Sequence, residues 1–268
     1  MKHMIAAGFV ALFVAGIQDT PAHSPHPAQA SLTQAARQPV LVELFTSEGC
    51  SSCPPADALL SRLEREQPVE GAEVIAIEEH VDYWNQQGWV DPFSSAEWTQ
   101  RQQEYVARFK ENGPYTPEMV VDGQSEFVGS RERQAREAIQ RAAQQAKAEI
   151  TLTARKASED STQGVDLRID KVGDLNSGAA VIWLAVTEKN LESAVKAGEN
   201  AGRDLRHASV LRLLRKVGTV DAKSSPFATT QQLKLKSNWS RDNLKIVAFA
   251  QDTRSWRILG VSAINFAK

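Results

Sequence analysis

The two cysteines of this 268-residue chain, Cys50 and Cys53, are followed directly by Pro54 and Pro55. Proline has no backbone N–H donor, so within a helix it fits only the first turn, where the N–H groups have no helical partner. A nearly continuous apolar run over 39–45 precedes the cysteines and is typical of a strand covered on both faces. We therefore predict a buried strand, then the C-x-x-C pair, then a helix that begins at the prolines.

This order places both sulfur atoms at the N-terminus of a helix, where unpaired N–H groups and the positive end of the helix dipole favour a thiolate. A thiolate is the species that attacks a disulfide, and a second cysteine then resolves the mixed disulfide. We predict that Cys50, the more N-terminal and more exposed cysteine, is the nucleophile and that Cys53 resolves. The charge of Glu48 should raise the thiol pKa, so a very strong oxidant is not expected.

Two other interpretations of the cysteine pair stay open. The first is a structural Cys50–Cys53 disulfide, although closing so short a loop stabilises a protein by only about 2 kcal/mol in the chain-entropy model. The second is a metal site in which His80 or His207 joins the reduced sulfurs, although two cysteines and a distant histidine have no diagnostic spacing. We expect no bound metal and no other cofactor.

The N-terminal residues predict export. An apolar run over 4–17 follows Lys2 and His3; it has the length of a signal-peptide core and is short for a membrane span. The Ala-Gln-Ala sequence at 28–30 has the form of a cleavage site, so residues 1–30 are predicted to be a signal peptide, and no later stretch is apolar enough to span a bilayer. The mature chain is expected to be periplasmic or secreted, where a close cysteine pair can persist as a disulfide.

The charge balance argues against a nucleic-acid partner. The chain has 31 Lys and Arg against 33 Asp and Glu, for a formal net charge of -2, and so lacks the basic excess of a nucleic-acid-binding surface. Hydrophobic residues make up 42% of the chain and charged residues 24%, as in folded globular proteins. If the cysteines are reactive, the expected partners are protein thiols or disulfides.

Two residue patterns divide the mature chain. Over 38–148, strand-like apolar runs alternate with helix-like segments, which predicts an α/β layer. Over 149–268, alternating and continuous apolar runs are separated by turn-rich pieces, which predicts an antiparallel sandwich. Residues 210–217 are assigned to a strand rather than a helix. We predict an α/β N-terminal domain followed by an all-β, sandwich-like C-terminal domain.

Thr116 and Pro117 stand immediately before the apolar run 118–121. The order strand, C-x-x-C, helix, strand, Thr-Pro, hairpin, helix resembles a thioredoxin-like domain, a fold that places a cis proline beside its cysteines. The resemblance implies a thioredoxin-like fold for residues 38–148. It also implies that Thr116 and Pro117 shape a docking groove at the cysteines.

A second, narrower resemblance rests on a set of motifs: Val42 to Asp57, His80 to Trp84, Gly88-Trp89, Asp91 to Ser94, Thr116 to Gly123 and the turn Gly198 to Gly202. With these motifs the chain is similar to a secreted family catalogued as domain of unknown function 1223. That resemblance implies export and a thioredoxin-like fold, and it brings no established substrate. The family commonly has Asp where this chain has Asn85, which removes an acid-base group at that position.

Other residues are candidates for the same site. Glu43 lies inside the apolar strand, and a buried carboxyl there could pass a proton to the resolving thiol; an acid that reaches solvent is the alternative. Asp57, one helical turn after Cys53, is expected to face solvent in the first turn of the helix; an interaction with the cysteine site is the alternative. Residues after the second strand could form a wall for a substrate, or a loop packed over the domain: His80, Asp82, Tyr83, Trp84 and Trp89.

The leading hypothesis from the sequence is thiol–disulfide exchange by an exported protein. One alternative is a non-catalytic binding or adaptor protein with a structural disulfide. The other is a metal carrier that uses the reduced C-x-x-C pair.

Overall fold

The computed structural model describes residues 37–155, 162–170, 178–221 and 226–266, together with residues 1, 3 and 8. The signal peptide predicted over 1–30 therefore lies almost entirely outside the described residues. Ala35–Lys268 forms one compact unit. Within the described ranges, every helix is too short or too polar to cross a bilayer.

Strands dominate the described residues. The α-helices are α1 (Pro54–Glu66), α2 (Ala96–Phe109) and α3 (Glu132–Ala143). The strands are β1 (Gln38–Thr46), β2 (Ala72–His80), β3 (Glu118–Val121), β4 (Ser125–Val128), β5 (Ile150–Ala154), β6 (Thr162–Ile169), β7 (Ala179–Glu188), β8 (Leu191–Ala194), β9 (Asp204–His207), β10 (Val210–Asp221), β11 (Phe227–Lys234), β12 (Leu244–Asp252) and β13 (Ile258–Asn265).

The local prediction around the cysteines is confirmed. Strand β1 precedes them, and α1 begins at Pro54 with Pro55 also in its first turn, so the prolines occupy positions that need no N–H donor. The side of α1 that carries Leu59, Leu60 and Leu63 is buried. Residues 210–217, assigned to a strand from the sequence, lie within β10.

One eight-stranded mixed sheet forms the centre of the structure, in the order β13-β12-β7-β10-β2-β1-β3-β4. Strand β2 is parallel to β1 on one side and parallel to β10 on the other, where Glu78 is paired with Val210. Strands β10, β7, β12 and β13 then continue the sheet in antiparallel pairs. A three-stranded sheet, β11-β6-β5, and the hairpin β8-β9 complete the fold.

The predicted fold class, an α/β thioredoxin-like domain followed by an all-β sandwich, is wrong. Strands from both predicted segments hydrogen-bond into the same large sheet through the β2–β10 pair. The error has a physical cause, because apolar periodicity indicates that a segment is a strand but does not specify its partner. The residue limits 38–148 and 149–268 stay predictions.

Different elements pack on the two faces of the large sheet. On one face, β1 and β2 pack against α1 and α3 through a cluster that includes Val42, Leu60 and Ile139. The strands β7 and β12 pack against the three-stranded sheet, in a cluster that includes Leu184 and Leu167. The opposite face carries α2, whose Trp98 packs in a third cluster. Side chains one residue apart along β1 therefore face different helices.

Candidate functional site

Cys50 and Cys53 form a disulfide at the N-terminus of α1. Their sulfur atoms are 2.10 Å apart, and the Cys53 N–H donates to the Cys50 carbonyl at 3.2 Å. Both cysteines are 0% exposed, whereas Ser51 and Ser52 between them are exposed. Cys50 is therefore no more exposed than Cys53, contrary to the sequence expectation. Its role as the nucleophile stays a prediction.

The loop between β8 and β9 is hydrogen-bonded to the backbone of the cysteine segment. The Asn200 side-chain amide donates to the carbonyl oxygens of Glu48 and Cys50, each at 2.9 Å. A Glu199 carboxylate oxygen accepts from the Ser51 N–H at 3.0 Å. Asn200 is fully buried. These contacts join residues 148 to 152 positions apart, so nothing local in the sequence indicates them.

Trp84 links the cysteine segment to the Thr-Pro segment. Its indole N–H donates to the Thr116 hydroxyl at 2.8 Å. A Cβ added at Gly49, the residue before Cys50, would lie 3.0 Å from the Trp84 Cβ, so the two chains pass in close contact. The Thr116–Pro117 peptide is cis. The structure thus brings Trp84 next to Thr116 and next to Gly49, the residue before Cys50.

Asp57 is buried rather than solvent-facing, contrary to the sequence expectation. It is 5% exposed, and it accepts a hydrogen bond from the Thr46 hydroxyl at 2.7 Å. Burial, and after it the negative charge of Glu78, raise the pKa of Asp57 from 3.8 to about 7. The Asp57 N–H donates to the Cys53 carbonyl at 3.2 Å, so this protonatable carboxyl lies one helical turn beyond the second cysteine.

Glu43 lies on the α2 side of the sheet and is not brought to the cysteines. Its carboxylate accepts from the Arg101 Nε–H at 2.7 Å and from the Tyr105 hydroxyl at 2.6 Å. Its neighbours along β1, Val42 and Leu44, instead pack with α1 on the opposite face. Glu43 is 0% exposed, so the strand-edge acid that reaches solvent is not observed either.

A buried cluster of imidazoles and carboxylates lies at the end of β2. His207 Nδ1 is 2.7 Å from Glu78 Oε1, and its Nε2 is 3.1 Å from Glu48 Oε1. His80 Nδ1 is 2.7 Å from Asp91 Oδ2. The two imidazole rings meet edge to face, with their centroids 4.6 Å apart. Both histidines are closed off from solvent, so His80 is not part of an exposed wall for a substrate.

Burial and charge pairing together set the pKa values of the groups in this cluster. Burial disfavours the charged ring of His80, but the Asp91 carboxylate outweighs it and raises the pKa of His80 to about 9. Burial likewise opposes the charge of Asp91, but the charge of His80 lowers the Asp91 pKa. Burial would also raise the pKa of Glu78, and the charge and hydrogen bond of His207 lower it instead.

The remaining predicted substrate-wall residues lie at different places. Asp82 accepts from the Thr99 hydroxyl at 2.6 Å, at the first turns of α2. Burial raises the pKa of Tyr83 to about 12. The Trp89 indole N–H donates to Glu48 Oε2 at 2.8 Å, so Trp89 adjoins the cysteine segment as Trp84 does. A substrate-binding role for these residues stays a prediction.

Two solved structures are similar to this chain. A protein of Agrobacterium tumefaciens with a known crystal structure is 26% identical, with a TM-score of 0.63, and the match covers 88% of this chain and 97% of that one. The structure titled HBP35 of Porphyromonas gingivalis has the same TM-score of 0.63 at 15% identity, covering 87% of this chain and 76% of that chain, which is a likeness of fold alone.

Among curated proteins, none is similar enough to this chain to count as a match. The family model described as a protein of unknown function, DUF1223, matches residues 41–251, which include the cysteines, Trp84, Thr116–Pro117 and the β8–β9 loop. The chain therefore belongs to the DUF1223 family.

Proposed function

We propose that this protein carries out thiol–disulfide exchange through Cys50 and Cys53. The observation that supports this most strongly is Asp57, a buried carboxyl with a pKa of about 7 one turn beyond Cys53. A structural disulfide needs no protonatable group one turn further along its helix. A thiol that must lose its proton to attack does need one, and a group with a pKa near neutrality accepts and returns protons most effectively.

The proposed exchange begins with the reduced protein. The Cys50 thiolate attacks one sulfur of a client disulfide, forms a mixed disulfide and releases the first client thiolate. Cys53 then gives its proton to the Asp57 carboxylate and attacks the Cys50 sulfur, which forms the Cys50–Cys53 disulfide and releases the second client thiolate. The client gains two electrons and the protein loses two. The same steps in reverse oxidise a client dithiol.

Access to Cys50 requires movement of the β8–β9 loop. Asn200 and Glu199 together make three hydrogen bonds to the backbone of residues 48–51, and Cys50 is fully buried beneath them. Displacing the loop exposes the disulfide beside Trp84 and Thr116 without unfolding β1 or α1. In this proposal the pair Thr116–Pro117 forms the floor on which an extended client segment docks.

The direct test is reduction of insulin disulfides by the protein in the presence of a recycling reductant. We expect activity in the unmodified chain and none in Cys50→Ser. Asp57→Asn should slow the reaction by about 100-fold, the lower end of what a positioned acid-base group contributes. Asp166→Asn, a change of an aspartate on β6 in the three-stranded sheet, is the matched control and should retain the rate. Activity that survives Cys50→Ser rules out the proposal.

A structural disulfide is the second candidate, and the complete burial of both cysteines favours it. Under this alternative the protein binds a partner without redox chemistry. The two candidates differ in how dithiothreitol reduces the disulfide. A redox-active disulfide is reduced in the folded protein, whereas a buried structural disulfide is reduced only as the protein unfolds.

We also propose that the chain is exported, because a short apolar run over 4–17 is followed by an Ala-Gln-Ala cleavage sequence that ends at residue 30. N-terminal sequencing of the protein recovered from the periplasm or medium should begin near residue 31. A product that retains residues 1–30 in the cytoplasm contradicts this.

A further inference from the structure

We infer that Glu78, His80 and His207 form a binding site for a divalent first-row transition-metal ion. The site lies on the end of β2 and at the end of β9, and it uses no cysteine. It is independent of the redox proposal, and it departs from the expectation of no metal that the sequence alone supports. The argument rests on three converging donor atoms, on what holds each of them, and on one buried nitrogen without a partner.

The donor atoms converge at distances that suit one ion. Glu78 Oε1 lies 2.7 Å from His207 Nδ1 and 3.5 Å from His80 Nε2, and all three atoms lie within 4.8 Å of one another. Bonds of about 2.0–2.2 Å from zinc to nitrogen and oxygen place neighbouring ligand atoms roughly 3–3.5 Å apart in a tetrahedral site. The Glu78–His80 distance already fits that spacing, and the Glu78–His207 distance must lengthen to reach it.

Each donor is held from its far side by a second group. His80 contacts Asp91 through Nδ1 at 2.7 Å, which leaves Nε2 directed at Glu78. His207 contacts Glu48 through Nε2 at 3.1 Å. The Ala208 N–H donates to Glu78 Oε2 at 3.1 Å. Metal-binding histidines characteristically donate their other ring N–H to a carboxylate, which fixes the ring and its tautomer. Both histidines here have that partner.

His80 Nε2 supplies an independent observation. The residue is 0% exposed and this nitrogen has no hydrogen-bond partner; its distance of 3.5 Å to Glu78 Oε1 exceeds that of a normal N–H···O bond. A buried polar atom without a partner is costly unless something else binds it. A metal ion at the convergence point would satisfy this nitrogen and offset the charge of the carboxylates Glu48, Glu78 and Asp91.

The donor chemistry selects the class of ion. Two imidazole nitrogens and one carboxylate oxygen suit zinc, cobalt, nickel, copper and iron, whereas calcium and magnesium prefer oxygen ligands. Two histidines and one glutamate also make up a known type of three-ligand zinc site. We therefore expect Zn²⁺ and Co²⁺ to bind and Ca²⁺ and Mg²⁺ not to bind at comparable concentrations.

The test uses the full chain with its disulfide intact, so that the cysteines cannot act as ligands. The protein is unfolded in urea with a chelator, refolded with Zn²⁺ or Co²⁺ and dialysed, because the site is closed in the folded state. Metal analysis should find one ion per chain, and the Co²⁺ form should show the visible d–d absorption of an ion with nitrogen and oxygen ligands. No retained metal in the unmodified chain overturns the inference.

Variants locate the site. His80→Gln and Glu78→Gln should each abolish stoichiometric retention, and Asp91→Asn should weaken affinity about 10–100-fold through the loss of its contact with His80. Asp166→Asn, which removes a carboxylate on β6 outside the Glu78, His80 and His207 cluster, is the matched control and should retain one ion. Retention that persists in folded His80→Gln overturns the inference. If that variant does not fold, the Co²⁺ spectrum of the unmodified chain decides, and a spectrum like that of the aqua ion overturns it.

Discussion

Asp57→Asn is the substitution that tests the electrostatics of the site most clearly. The carboxyl is 5% exposed, and burial followed by the charge of Glu78 raises its pKa from 3.8 to about 7. Below pH 4 the carboxyl is protonated in both folded and unfolded chains. Between pH 4 and 7 it ionises only in the unfolded chain, so the folded state loses stability as the pH rises. Above pH 7 it is ionised in both states and the loss is complete.

The size of that loss follows from the shift. A pKa raised by roughly 3 units corresponds to about 4 kcal/mol at about 1.4 kcal/mol per unit. Asparagine does not ionise and therefore avoids the loss. Any cost of placing its amide group beside Thr46 is the same at both pH values, so it cancels when the two are compared. Relative to the unmodified protein, Asp57→Asn should gain about 4 kcal/mol in unfolding free energy between pH 4 and pH 8.

The measurement is urea unfolding of both proteins at pH 4 and pH 8, with chelator present so that no metal alters the charges near Asp57. Asp204→Asn, a change of an exposed aspartate on β9, is the control and should show no such dependence. A stability difference between Asp57→Asn and the unmodified protein that is equal at the two pH values refutes the assignment of a raised pKa.

Three other substitutions have expected outcomes. Glu43→Gln should destabilise the protein by about 1.5–3 kcal/mol in urea unfolding, because it removes the closer of the two carboxyl groups beside the buried guanidinium of Arg101 and leaves only Glu79, at 3.5 Å; an unchanged free energy of unfolding contradicts this. Gly123→Ala should lower the thermal midpoint, because the residue has φ +64° and an added Cβ would lie 2.1 Å from the Trp256 carbonyl oxygen; an unchanged midpoint speaks against the close approach. Asn200→Ala should speed reduction of the disulfide by dithiothreitol while costing about 1–2 kcal/mol of stability, and an unchanged rate means that the β8–β9 loop does not gate access.

Local sequence signals predicted the elements at the site well. The two prolines specify where α1 begins, and the apolar run before the cysteines is β1. The hairpin expected after Thr116 and Pro117 is β3–β4, with Asp122 and Gly123 at positive φ in its turn. Each of these depends on residues that are neighbours in sequence, where steric limits act directly.

Pairing between distant segments could not be predicted in the same way. Strand β10 joins β2 through a single pair, Val210 with Glu78, which brings the second half of the chain into the first sheet. His207 meets Glu78 across 129 positions. Neither contact has a periodic signature, because periodicity describes which face of a strand is buried and not which strand lies beside it.

The sequence contained a signal that Glu43 lies away from the cysteines and that Asp57 lies near them. Side chains alternate faces along a strand, so Glu43 must point away from the face that Val42 and Leu44 share. Those two residues pack with α1, which carries Asp57 on its buried side. Applied strictly, alternation excludes Glu43 from the cysteine side of the sheet and leaves Asp57 as the nearby carboxyl.

The reduction potential of the Cys50–Cys53 couple, measured by equilibrating the folded protein with glutathione buffers, tests the proposed exchange most directly. Working thiol–disulfide couples lie between about −270 and −120 mV, whereas structural disulfides of secreted proteins lie below about −300 mV. We expect a value in the first range. A value below about −300 mV would identify the disulfide as structural and contradict the proposed function.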